Sequence, residues 1–218
     1  MHRLSKNYLF LFFLCFSMVL FSQKKVLKKF TTTAKKLHIF TEGLDDFVLE
    51  NSDSEFIEIF LQTENSNKQH IIVEEKKAET EIRFKIPIFK SEDVIFRKYI
   101  TKRLKRATAI LKLPKNIAVS IFGESINITS KSYHGDLRIF IERGFVRLDT
   151  IQQNLELKMY AGNVFGTLKK TNLKVFATSG EIKIDTVFHQ KKYQEKEIST
   201  SKEVSITTIK GNIFLTHQ

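Results

Sequence analysis

Residues 135–185 read GDLRIFIERGFVRLDTIQQNLELKMYAGNVFGTLKKTNLKVFATSGEIKID, and this stretch has an 18-residue period. A column here means a set of positions separated by whole periods. The columns are Val119, Leu137, Leu155 and Leu173; Ile121, Ile139, Leu157 and Val175; Ile128, Val146, Val164 and Ile182; Gly144, Gly162 and Gly180; and Asp136, Asn154 and Asn172. Several columns with one period indicate a repeat protein, whose stacked units share one core.

Each 18-residue unit, called a rung below, has the pattern of two strands and two turns. Leu137, Ile139 and Ile141 alternate with outward residues, which is the two-residue period of a half-buried strand. Gly144 predicts a turn because glycine accepts a positive φ, residues 145–150 predict the second strand, and residues 151–154 predict the second turn. The sequence therefore predicts an all-β fold in which residues 114–218 form a β-solenoid. The Asp/Asn column is expected to hydrogen-bond backbone from rung to rung.

The pattern stops after Asp185 and resumes after a step longer than one period. The resumed members are Val204, Ile206, Gly211, Ile213 and Leu215, each one 31-residue step after its counterpart in the preceding rung. Because 31 exceeds the period by 13, we expect one further rung after an insertion near residues 187–200. The insertion is polar and charged, which is typical of a surface loop.

Residues 36–88 contain five short apolar runs about ten residues apart. They are KLHIFTE, DDFVLEN, EFIEIFLQ, QHIIVEE and TEIRFKIPI. This spacing favours an N-terminal strand meander over residues 23–113, either as a sandwich or as a lateral start to the solenoid. The run ATAILKL at 107–113 predicts one more strand, which ends at Pro114.

The segment SEDVIFRKYITKRLKR at 91–106 differs from the strands around it. Ser91 as N-cap and apolar residues at four-residue spacing favour a short helix, with a strand-loop-strand as the alternative. Its basic residues are predicted to contact anionic envelope glycans or lipid head groups. They are Arg97, Lys98, Lys102, Arg103, Lys105 and Arg106. The alternative is a solvated helix that covers one end of the stack.

The N-terminus predicts export. Residues 1–22 carry two basic residues and then the apolar run YLFLFFLCFSMVLF, which is typical of a signal peptide cleaved between Ser22 and Gln23. An uncleaved N-terminal anchor is the alternative. Cys15, the only cysteine, lies in that run, so a cleaved protein has neither disulfides nor thiol chemistry. The expected location is the periplasm or the cell surface, where the net charge of +12 points to anionic partners other than nucleic acid.

Outward aromatic residues are the second candidate site. Phe140, Lys158 and Phe176 share one outward column, and Tyr160 and Phe165 lie on the rung between Phe140 and Phe176. Exposed aromatic patches are typical of sugar or protein contacts. The alternative is that the N-terminal strands or the 187–200 insertion cover these rings.

No catalytic, metal or cofactor site is predicted. Asp149 and Asp185 share an outward column two rungs apart, or about 9.6 Å, and a separation of about that size suits inverting glycoside hydrolysis. Thr167 lies between them, however, and no cleft or arginine clamp accompanies them. The histidines are scattered, and no phosphate loop, nucleophile elbow or zinc motif is present.

The segment ATAILKLPKNIAVSIFGESINI and the repeats GDLRIFI, GNVFGTL, GEIKIDT and GNIFLTH resemble bacterial putative-adhesin domains, also called toastrack domains. The resemblance covers about residues 30–218. It implies a β-repeat domain of the envelope or surface, without established enzymatic activity. The expected function is therefore binding, scaffolding or adhesion outside the cytoplasm. The alternatives are an anchored envelope-sensing module and, third, a polysaccharide-active enzyme.

Overall fold

The computed structural model describes residues 25–63, 68–86 and 107–218. These residues form sixteen strands in one sheet, and a single 3-10 turn at Lys68–His70 is the helical element among them. The predicted all-β class is confirmed. The predicted signal peptide and the helix predicted at 91–106 lie outside the described residues.

The N-terminal strands match the predicted apolar runs, with one addition at the start. They are β1 Lys25–Phe30, β2 Lys36–Phe40, β3 Asp46–Asn51, β4 Ile57–Gln62, β5 Ile71–Lys76, β6 Glu79–Phe84 and β7 Thr108–Leu113. The remaining strands are β8 Ala118–Ser125, β9 Asn127–Ser130, β10 Leu137–Leu148, β11 Leu155–Leu168, β12 Asn172–Ala177, β13 Ile182–Ile184, β14 Val187–His189, β15 Lys192–Glu195 and β16 Glu203–His217.

The 18-residue period is the register of parallel strand pairs. Strands β10 and β11 pair with Leu137 opposite Leu155 and with Val146 opposite Val164. Strands β8 and β9 pair with the two halves of β10 at the same offset. The strand does not break at the predicted Arg143–Gly144 turn, since β10 continues through it. That turn is a corner within one strand, and it divides each rung into a first half and a second half.

The inward side chains of both halves share one core. Ile139 in the first half of β10 and Val146 in the second half are both fully buried, and they belong to a single apolar cluster. Burial of a side chain of this size contributes about 1.5–3 kcal/mol. The alternation read from the sequence therefore separates core from surface correctly in these rungs.

Glycine is required at the corners because the backbones of neighbouring rungs meet there. Gly144 has φ +148° and Gly162 has φ +131°. A Cβ added to Gly162 would lie 1.9 Å from the carbonyl oxygen of Gly144, and one added to Gly144 would lie 1.9 Å from that of Ile126. A larger residue at either position would force the rungs apart.

The last rung does not follow the others in space. Strand β16 pairs in parallel with β11 on one side and with β12 and β13 on the other. Its columns are as predicted, with Val204 opposite both Leu155 and Leu173. The expected order, with the final rung at the end of the stack, is wrong. The side-chain pattern determines which residues of neighbouring rungs are opposite each other, and β16 has the same pattern as its neighbours. The pattern therefore predicts the register of β16 but not the rungs between which it lies.

Of the two arrangements expected for the N-terminal strands, β2 and β3 fit the lateral continuation of the repeats and not a separate sandwich. Strand β2 lies between β6 and β8, and β3 lies between β7 and β9, with all four pairings parallel. Leu37 is opposite Val119, and Phe47 is opposite Ile128. One sheet therefore spans both predicted parts of the chain.

Antiparallel strands lie beyond the parallel rungs at both ends. Strands β5 and β4 pair with β6 and β7 at one end, and β15 and β14 pair with β12 and β13 at the other. The insertion predicted as a surface loop near 187–200 thus contains two short strands. They add to the end of the stack because a parallel rung left at the edge has unpaired backbone groups.

Candidate ligand-binding groove

The structure separates the four aromatic residues predicted as one site. Phe140 is half-buried and stacks on Phe122, with ring centroids 5.6 Å apart, and Phe122 stacks on Phe40 at 5.3 Å. Arg83 lies 3.8 Å from the centroid of Phe40, and Lys158 lies 5.6 Å from that of Phe140. Phe40 and Phe122 were missed in the sequence, although Phe122 precedes Phe140 by one whole period. Cations cover both ends of this ladder, which holds successive rungs together.

Phe176 and Tyr160 do not join that ladder. Thr207 of β16 lies between Lys158 and Phe176 in the column, so Phe176 is one strand farther from Phe140 than predicted. Tyr160 lies near the corner of β11, where the Lys210 ammonium is 5.5 Å from its ring. Both rings are exposed, but each stands apart from the other predicted aromatics.

Phe165 forms a different stacked pair, on the second half of the rung. Its ring stacks on that of Phe214, with centroids 5.2 Å apart and ring planes 19° apart. The two residues are direct partners on β11 and β16. Phe214 was missed because β16 was expected at the end of the stack, away from β11.

An open groove of about 570 Å³ surrounds this pair. Its walls come from β10, β11, β16 and β13 in that spatial order. Two neighbouring outward columns line it. The first column is Arg147, Phe165, Phe214 and Lys183, and the second is Asp149, Thr167, Thr216 and Asp185.

The groove combines one apolar contact surface with polar groups on both sides. Phe165 is 38% exposed and supplies the apolar contact with the half-buried Phe214. No hydrogen bond of the Thr167 and Thr216 hydroxyls is present within the part of the chain that the structure describes. Hydroxyl, carboxylate and cationic groups next to an aromatic pair are suited to a ligand that is itself part apolar and part polar.

Asp185 is held at one end of the groove by His217. The His217 backbone N–H donates to Asp185 Oδ1 at 2.8 Å, and its ring Nδ1 lies 2.9 Å from Asp185 Oδ2. The side-chain hydrogen bond from His217 lowers the pKa of Asp185 below its ordinary value, and the backbone hydrogen bond acts in the same direction. The other ring nitrogen, Nε2, lies 3.3 Å from Glu195 on β15. Asp185 is therefore an ionised carboxylate with both oxygens occupied.

The two carboxylates of the groove are farther apart than predicted. Two strands, β11 and β16, lie between Asp149 and Asp185. Continuing the register of the strands, Asp149 is opposite Thr167 of β11, and Asp185 is opposite Thr216 of β16. Three strand steps give a separation of about 14 Å. The expected value of about 9.6 Å is thus wrong, and the pair exceeds the separations used in inverting hydrolysis, which extend to about 9.5 Å.

A crystal structure of a putative cell adhesion protein from Clostridium sporogenes matches with TM-score 0.64 and 17% identity, over 90% of this chain and 100% of that chain. The two proteins share a fold. A putative adhesin from Parabacteroides merdae gives TM-score 0.40 at 12% identity, over 88% of this chain and 81% of that one. No protein-family model and no curated protein matches. The resemblance to bacterial putative-adhesin domains is therefore confirmed at the level of the fold.

The other candidate site, the basic segment, lies outside the described residues, with all six of its lysines and arginines. Across residues 25–63, 68–86 and 107–218, no three His, Cys, Asp or Glu side chains are placed to share a metal ion. Within the same ranges no helix has the length and apolar character needed to cross a membrane. The groove, by contrast, lies within the described residues.

Proposed function

We propose that this chain is a non-enzymatic, adhesin-like binding protein that holds carbohydrate in the groove beside Phe165 and Phe214. The observation that carries the proposal is the stacked phenyl pair, with two threonine hydroxyls and two carboxylates in the neighbouring column. Sugars present both C–H surfaces and hydroxyl groups, so they match a site with an aromatic contact and several hydrogen-bonding groups. The shared fold with a putative cell adhesion protein is consistent with such a role.

Residues 114–218 are proposed to form a β-solenoid that serves as a rigid support for this groove. Apart from Asp149 and Asp185, which directly follow β10 and β13, the groove residues belong to four hydrogen-bonded strands, so the sheet sets their spacing. A site on strands is held more precisely than a site on loops, which lowers the entropic cost of binding.

A glycan array tests the site. Wild-type protein is applied to neutral, sialylated, sulfated and uronate-containing oligosaccharides, in parallel with Phe165→Ser and Phe176→Ser. The two substitutions remove similarly exposed rings, at 38% and 42%, from different halves of their rungs. We expect Phe165→Ser to lose at least about 90% of the array signal, since an aromatic contact of this kind contributes more than about 1.4 kcal/mol.

Phe176→Ser is the matched control and is expected to bind as the wild type does. Thermal unfolding of both variants confirms that each is folded before binding is compared. Loss of binding in Phe176→Ser with retention in Phe165→Ser would transfer the site to the first half of the rung. An array with no bound glycan for folded wild-type protein would contradict the proposal.

We propose export to the periplasm or the cell surface, with cleavage between Ser22 and Gln23. The proposal rests on the charge and apolar pattern of residues 1–22. N-terminal sequencing of the protein recovered from cells distinguishes it from the anchored, envelope-sensing alternative. A mature chain beginning at Gln23 is expected, and a chain that retains residues 1–22 would support the anchor.

A further inference from the structure

We infer that the groove selects an acidic glycan, one whose carboxylate or sulfate groups pair with Arg147 and Lys183. The inference rests on the proposed carbohydrate function and specifies its ligand class. Some charges of the groove already have partners inside the protein and others do not, and this difference determines which ligand charge the groove prefers.

Among the residues that the structure describes, one of the two groove carboxylates has hydrogen-bond partners inside the protein, and the other does not. Asp185 accepts two hydrogen bonds from His217. Asp149 lies close enough to Lys131 to raise the pKa of that lysine, although less than Glu50 does through its 2.7 Å ion pair. Asp149 makes no ion pair with a residue that the structure describes, because Lys131 is paired with Glu50.

Both cations of the groove lack an ion-pair partner in the described ranges. Arg147 is exposed and makes no salt bridge with any residue that the structure describes. Lys183 is half-buried and contacts the ring of Phe188, with its ammonium 5.2 Å from the centroid, and it has no carboxylate partner in the described ranges. Two cations and one carboxylate of the groove thus lack an ion-pair partner among the described residues, so an acidic ligand meets more unpaired cations than unpaired carboxylates there.

The positions of these cations define the ligand further. Arg147 and Lys183 stand in the same column as the phenyl pair, one at each end, three strand steps or about 14 Å apart. A chain laid along the stack axis would contact the rings with its middle units and place an acidic group near each cation. The guanidinium of Arg147 also offers paired donors to a carboxylate or sulfate.

The experiment compares acidic oligosaccharides with neutralised forms of the same chains. Hexagalacturonate and chondroitin sulfate hexasaccharide are titrated into the full protein, alongside methyl-esterified hexagalacturonate and desulfated, methyl-esterified chondroitin hexasaccharide. We expect each acidic form that binds to bind at least about tenfold more tightly than its neutral counterpart. Arg147→Gln and Lys183→Gln are each expected to weaken the acidic form by about tenfold, as a charge-assisted hydrogen bond would.

Arg138→Gln and Lys174→Gln are the controls, since both remove outward cations from the first half of the rung. They are expected to leave the affinity within twofold of wild type. If the acidic and neutral forms bind equally well and Phe165→Ser abolishes both, the acidic specificity is wrong. The proposed carbohydrate function would then still hold. Failure of all four oligosaccharides to bind would overturn the acidic specificity too, and the array described above then decides the carbohydrate function separately.

Discussion

At the scale of single residues, the packing of neighbouring rungs depends on a few positions that accept only one residue type. The corner glycines allow the carbonyl of one rung to approach the next, and the outward rings stack at the spacing of adjacent strands. Asparagine and aspartate connect rungs as expected from their column. Asn154 Nδ2 donates to Asp136 Oδ1 at 3.0 Å, and Asn154 Oδ1 accepts from the backbone N–H of Glu203 at 2.9 Å.

Gly162→Ala is expected to lower the free energy of unfolding by about 2 kcal/mol or more, because the new methyl group would overlap the Gly144 carbonyl and φ is +131°. Gly166→Ala on the same strand is the control. Its methyl group would meet the Leu215 Cδ2 atom at 3.0 Å, and a side chain can shift. Urea unfolding measures both, and equal costs would contradict the corner argument.

Asp185 gives the protein a pH dependence of known sign. Its pKa in the folded state is below the ordinary value of 3.8, chiefly because of the hydrogen bond from His217. The ionised form therefore stabilises the fold above the unfolded-state pKa, and this stabilisation is lost as the pH falls through the folded-state pKa. Asp185→Asn is expected to be less stable than wild type at pH 7, and the difference is expected to be smaller at pH 2.5 than at pH 7. A constant difference in urea midpoint across this range would contradict this assignment.

At the scale of elements, periodicity predicted the strands well and their order poorly. The runs at 36–88 and 107–113 became β2 to β7, and the 18-residue columns became the register of β8 to β11. Hydrophobic alternation reflects which residues of a strand are buried, so the buried positions could be predicted from the sequence. Neighbour order depends on pairings between distant segments of similar pattern, so neither the insertion of β16 nor the Phe165–Phe214 pair was recoverable.

Disulfide trapping tests the position of β16 directly. Two pairs of cysteines are introduced in a Cys15→Ser background: Lys158→Cys with Thr207→Cys, and Thr207→Cys with Phe176→Cys. In each pair the two residues are opposite each other on adjacent strands, so their Cα atoms are about 4.8 Å apart. Both pairs are expected to form disulfides under mild oxidation. Lys158→Cys/Phe176→Cys should not, because its Cα atoms are about 9.6 Å apart and a disulfide requires less than about 7 Å. Bridging of the third pair, without the first two, would restore the sequential order.

At the scale of the whole molecule, the two ends of the stack are built in the same way. The first rung of the chain consists of β2 and β3, and the last rung consists of β16. Each of them lies next to the outermost parallel rung, which is β6 with β7 at one end and β12 with β13 at the other. In the sequence, β4 and β5 come between the rungs at one end, and β14 and β15 come between the rungs at the other. These antiparallel strands cover the outermost rung at each end. The middle rungs, including those of the groove, are thereby shielded from edge-to-edge pairing.

Removal of residues 203–218 tests this arrangement. Because β16 pairs on both sides, its loss leaves β11, β12 and β13 without their partners inside the stack. We expect the truncated protein to aggregate, as judged by size-exclusion chromatography. Deletion of residues 25–30, the edge strand β1, removes a strand paired only with β4 and is expected to leave a soluble monodisperse protein. A soluble, cooperatively unfolding 203–218 truncation would contradict an internal position for β16.

Carbohydrate is proposed to bind along the groove at Phe165 and Phe214. Amide chemical-shift mapping of the full chain during titration with the strongest array ligand, or with hexagalacturonate if none stands out, tests it most directly. We expect the largest shifts at 147–149, 165–167, 183–185 and 214–216, which are contiguous on four neighbouring strands. Shifts concentrated at Phe140, Lys158 and Phe176, or no shifts at saturating ligand, would contradict it.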